Sequence, residues 1–106
     1  MIGNEIIEKD VEDYLCAGVK AAGGEVRKSE WVGRRHCPDR RVMHPARCAY
    51  VEVKRPGGKL RPGQVREIER MRALGEDVVV LTTFDEVDGF WLPWWGIRNG
   101  EPRKDA

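Results

Sequence analysis

Apolar residues recur at three- and four-residue steps between Asn4 and Ala22, where Ile6, Ile7, Val11, Tyr14, Leu15, Cys16 and Val19 predict an amphipathic helix. Gly23 and Gly24 close it, because glycine tolerates the left-handed backbone of a helix C-terminus. Beyond them the period changes. Glu25 to Trp31 is a short candidate strand, and residues 33 to 39 read as a basic loop in which Pro38 disfavours helix at Cys37. Arg40 to Met43 predicts a second strand, His44 to Arg47 a turn around Pro45, and Cys48 to Lys54 a third strand. Alternation along that third strand sets Tyr50, Glu52 and Lys54 on one face and Ala49, Val51 and Val53 on the other. A carboxylate and an ammonium therefore point the same way.

Pro56-Gly57-Gly58 ends the strand, and Val65, Ile68, Met71 and Leu74 predict a second helix from Pro62 to Leu74, closed by Gly75. Asp77 to Thr82 holds Val78, Val79, Val80 and Leu81 in a row, the pattern of a strand buried on both faces. Thr83 to Val87 predicts a short helical turn, and Phe90 to Trp95 forms a dense apolar segment. After Gly96 the chain turns polar and is expected to fray. The order of elements predicts an α/β fold, a mixed β-sheet flanked by helices. With 106 residues the chain has the length of one domain, read here as residues 1–95 with a polar C-terminal tail over 96–106.

Charge changes this picture locally, not globally. Lys and Arg total 19 against 18 acidic residues, so a net charge of +1 gives no overall pull toward nucleic acid or an anionic membrane. Arg34, Arg35, Arg40 and Arg41 nevertheless cluster on one short stretch, and Lys54, Arg55, Lys59 and Arg61 on another. Three cysteines without CxxC spacing, no signal-peptide pattern and no membrane-length apolar run lead us to expect a cytoplasmic protein.

Between the two basic clusters lie Asp39 and Glu52. A hard divalent cation such as Mg²⁺ or Mn²⁺ takes oxygen ligands, and protein sites commonly supply one or two carboxylates. If the strands following Asp39 and containing Glu52 are neighbours, both carboxylates meet at one edge of the sheet, with the Val53 carbonyl as a further metal ligand. Lys54 then projects beside Glu52. It could orient or deprotonate an attacking water, or stabilise developing charge; these alternatives stay open. Phosphodiester hydrolysis asks for that set: a Lewis acid, an oriented water and transition-state stabilisation. Arg34, Arg35, Arg40, Lys59 and Arg61 are the candidate contacts to the nucleic-acid backbone.

The segments Cys-Pro-Asp39, Val-Glu52-Val-Lys54, Pro-Gly-Gly-Lys-Leu-Arg-Pro-Gly-Gln64 and Arg-Ala-Leu-Gly-Glu-Asp-Val together resemble the VRR-Nuc family, the virus-type replication-repair nucleases of the PD-(D/E)xK superfamily. The similarity runs from the first helix to about Leu81. It implies a restriction-endonuclease-like α/β/α core and a metal-dependent DNA endonuclease of a bacterial or phage-infected cell. Stand-alone phage members are often homodimers, some cut branched DNA such as Holliday junctions, and no nucleotide cofactor is implied. It also implies two more site residues. Glu12 matches the first-helix acid that approaches the metal, with Glu8 one turn earlier as a substitute, and Gln64 matches the glutamine that begins the second helix. The chain departs from the pattern at His36, where relatives commonly carry glycine, and the Trp-rich segment after Phe90 has no counterpart in it.

Other readings stand beside this one. An isolated Glu-x-Lys is ordinarily a solvated strand face. Cys37, His44 and Cys48, with His36, are zinc-ligand types at spacings that match no strong zinc pattern. Trp91, Trp94 and Trp95 could stack on unpaired bases, though core or subunit-interface packing is the commoner use. Two rivals to the enzyme are a catalytically silent nucleic-acid-binding module and an interaction subunit that docks through its Trp-rich end.

Overall fold

A computed structural model describes residues 5–97. The first helix, α1, spans Glu8–Ala21, four residues shorter at its start than the periodicity suggests. Asp10 explains the difference: its carboxylate accepts the Ile7 N–H at 2.9 Å, satisfying a donor at the helix entrance and placing Ile7 outside the turn. Val11, Leu15 and Val19 form the buried stripe of α1.

Four strands follow, β1 (Glu25–Lys28), β2 (Arg40–His44), β3 (Arg47–Val53) and β4 (Val78–Leu81), lying side by side in that order. β1 with β2 and β2 with β3 are antiparallel, while β3 and β4 are parallel. The sheet is thus mixed, as expected. β1 stops three residues before the predicted Trp31. Ser29 N–H still reaches the Asp39 carbonyl at 3.0 Å, and beyond it Trp31 turns to pack against Tyr50.

α2 (Pro62–Ala73) covers one face of the sheet, and α1 with α3 (Phe84–Trp91) covers the other. Ala49, Val51 and Val53 enter the larger core with Val11, Leu15 and Val87, whereas Tyr50 packs with Ile68, Met71 and Val78 under α2. The two faces of β3 are therefore divided as the alternation of its residues predicts. β4 packs on both faces too, but it is an edge strand, so Val79 and Val80 are only half-buried.

The largest departure from expectation is α3, eight residues long where a short turn at Thr83 to Val87 is predicted. Thr83 Oγ1 accepts the Glu86 N–H at 3.1 Å, and Glu86 reaches back to the Thr82 N–H at 2.7 Å, so the start is capped from both sides. Leu92–Trp94 then forms one 3₁₀ turn containing Pro93. Trp94 is buried and stacks on His44 at 4.9 Å; Trp91 lies against Gly18 of α1; Trp95 alone of the three is exposed. The tail expected to fray lies, from residue 98 onward, outside the described residues.

Candidate active site

The register of β2 on β3 assembles the site. Arg40 opposes Val51, so one further antiparallel step sets Asp39 opposite Glu52. Pro38, fully buried, anchors the approach to Asp39. Asp39 Oδ2 accepts the Val53 N–H at 3.2 Å, and its backbone carbonyl accepts the Ser29 N–H, so the residue is fastened to both neighbouring strands.

Glu52 is 3% exposed and faces α2. Gln64, the third residue of that helix, donates from Nε2 to Glu52 Oε2 at 3.2 Å while its Oε1 accepts the Arg61 N–H at 2.8 Å. The amide is thus oriented from both ends, and it in turn orients the carboxylate. Lys54 Nζ stands 3.7 Å from the same Glu52 oxygen. Burial raises the Glu52 pKa to about 7; the adjacent Asp39, by charge and hydrogen bonding, adds to the rise, and Lys54 opposes it. Two carboxylates share a confined space with one ammonium beside them. A divalent cation would offset the repulsion, and the oxygen-only donor set suits a hard one.

Asp39, Glu52, Lys54 and Gln64 are brought together; Glu12 is not. Alternation turns Arg40 toward α1, and its guanidinium pairs with the Glu12 carboxylate at 2.5 Å. Among the described residues no three His, Cys, Asp or Glu side chains gather into a metal-binding group. His44 is engaged by the Ala22 carbonyl at 2.8 Å, far along β2 from Cys37, whose Sγ lies 3.2 Å from Ser29 Oγ.

The five basic candidates divide as well. Arg40 is committed to Glu12, and Arg34 forms a two-pronged pair with Glu67 of α2 at 2.6 and 3.2 Å, holding that carboxyl below the usual range. Arg35, Lys59 and Arg61 are exposed and enter no ion pair among the described residues. His36 adopts φ 69°, the left-handed conformation in which glycine is at ease, at the position where the chain departs from the family pattern. Its ring fills the space over Gly63, where a side-chain carbon would come within 2.3 Å of Nε2. The sequence reading missed this contact, as it missed Trp31, which leaves β1 and packs at 5.7 Å from Tyr50.

No protein-family model matches the chain. A curated relative, provisionally named nuclease p44, from Acyrthosiphon pisum secondary endosymbiont phage 1, is 42% identical over 81 residues, which is 76% of this chain and 87% of the relative. A solved structure of a VRR_NUC domain superposes with a TM-score of 0.72 at 38% identity, covering 78% of this chain and 91% of its own.

Proposed function

The chain belongs to the VRR-Nuc family of nucleases, and from that membership we propose that it is an endonuclease that cleaves DNA phosphodiesters with Mg²⁺ or Mn²⁺ held between Asp39 and Glu52. One observation carries the reading: the β2–β3 register sets Asp39 across from the buried Glu52, with Lys54 3.7 Å from its oxygen. Asp39, Glu52 and the Val53 carbonyl are the proposed ligands. Glu12, tied to Arg40, would join them only by exchanging partners. When bound, the cation supplies a Lewis acid for the phosphoryl oxygen.

The remaining work falls to side chains. Lys54 lies where it can orient the attacking water or meet charge developing on the phosphate, and Gln64 keeps the Glu52 oxygens aimed into the site. Arg35, Lys59 and Arg61, without carboxylate partners among the described residues, supply phosphate contacts that position the strand without reading sequence. The reading extends to branched DNA and a two-fold dimer, since paired sites suit a two-fold junction.

Incubation of a plasmid and of four-way-junction oligonucleotides with Mg²⁺ or Mn²⁺ tests it. Cutting by the wild type, lowered roughly 100-fold or more in Lys54→Ala and abolished in Asp39→Ala, is the expected result. Tight binding without cutting by the wild type would make the protein a silent binding module instead.

A further inference from the structure

A groove of about 360 Å³ lies between β3 and α2, walled by Trp31, Tyr50 and Met71 and rimmed by charged side chains. It lies on the same faces of β3 and α2 as the carboxylate pair. Tyr50 precedes Glu52 by two residues on the same face of β3, a separation of roughly 7 Å, and Met71 follows Gln64 by two helical turns on the same side of α2. The groove therefore begins within one nucleotide's reach of the proposed cleavage centre.

Two of its walls are aromatic. The Trp31 and Tyr50 rings lie 5.7 Å apart at 54°, and the Arg41 guanidinium stacks on Tyr50 at 4.5 Å, backing that wall. Trp31 Nε1 is buried with no hydrogen-bond partner among the described residues, so packing alone holds the indole. Charge decides the class of ligand. Arg34 and Arg70 on the rim are balanced by Glu67 and Glu76, which makes the groove a poor anion site and offers both donors and acceptors around flat apolar walls.

We propose that this groove is a nucleobase slot, in which an unpaired base next to the cleaved phosphodiester leaves the DNA stack and seats against Trp31 and Tyr50. A base locked in a duplex cannot enter, so the slot favours bulges, junctions and single-stranded segments. The inference rests on the nuclease reading, since bound substrate is what delivers the base. Trp31 is here a specificity-determining residue and takes no part in the bond cleavage.

The test is equilibrium binding of the full chain, in EDTA so that chemistry is silent, to a fluorescent duplex carrying either a single bulged adenine or an abasic residue at the bulge. Wild type should bind the adenine bulge about ten-fold more tightly. Trp31→Ala should bring the two within two-fold, and Trp31→Phe should keep most of the difference. Leu74→Trp, at an exposed position on the groove's mouth, should block entry and erase the difference while leaving the core intact. Equal binding of both bulges by wild type, or a ten-fold difference that survives Leu74→Trp, overturns the slot. A dimer that Leu74→Trp dissolves, with no base discrimination in wild type, assigns the groove to a second copy and also overturns it. Discrimination in EDTA without cutting in Mg²⁺ or Mn²⁺ supports the slot and sinks only the nuclease reading.

Discussion

A carboxyl buried at 3% exposure whose pKa is pushed up to about 7 gives the metal-free protein a pH dependence opposite in sign to ordinary acid unfolding. Folding favours the protonated form of Glu52, so its contribution to stability is fully present below about 4.5, the value for an ordinary glutamate, and is lost as pH rises through about 7. The loss is on the order of 3 kcal/mol at most. Glu52→Gln keeps the shape and the contact to Gln64 but removes the charge, so in EDTA it should melt higher than wild type at pH 8 and match it near pH 5, while its cleavage activity disappears. Thermal melts at the two pH values check this. His36 offers a second test. At φ 69° a histidine carries backbone strain that glycine does not, so His36→Gly should keep or raise stability, by up to about 1 kcal/mol, despite losing a side chain. Urea titration measures it, and a clear loss would mean that the ring over Gly63 holds the loop.

Elements were legible wherever local chemistry and periodicity agreed. The β3 alternation assigned its two faces correctly because each face packs under a different helix, and Gly75 and Pro62 bound α2 closely. The start of α1 was misplaced although its cause, Asp10, is local. β1 ends at Lys28 and Trp31 packs on Tyr50 of β3 instead, a contact that no periodicity within β1 reveals. α3 did leave a local signal that was passed over, the Thr83-x-x-Glu86 box. Thr83→Ala should therefore cost about 1 kcal/mol in denaturant unfolding, and Thr83→Ser should recover most of it. Packing between α1 and α3 has a similar single point of failure. A side chain at Gly18 would meet the Trp91 ring at 2.2 Å, so Gly18→Val should destabilise by roughly 1–3 kcal/mol. No loss there would mean that the Trp91 ring is not fixed against α1.

Across the whole molecule, a nearly neutral protein leaves few cations uncommitted among the described residues, because Arg34 and Arg40 are paired with internal carboxylates. That division was invisible in the sequence, where all five basic candidates look alike, whereas the pairing of Asp39 with Glu52 followed once two strands were assumed to be neighbours. Lys59→Ala and Arg61→Ala should each weaken DNA binding about equally for all sequences and reduce the slope of log affinity against log salt by about 1; Arg34→Ala should leave that slope nearly unchanged and instead lower stability. The central claim is that one cation is clasped by two acids thirteen residues apart in the chain. A Mn²⁺-soaked crystal read at the manganese absorption edge addresses it directly. The account predicts a single anomalous peak within about 2.2 Å of both an Asp39 and a Glu52 oxygen. A peak touching only one of them, or none between β2 and β3, would contradict it.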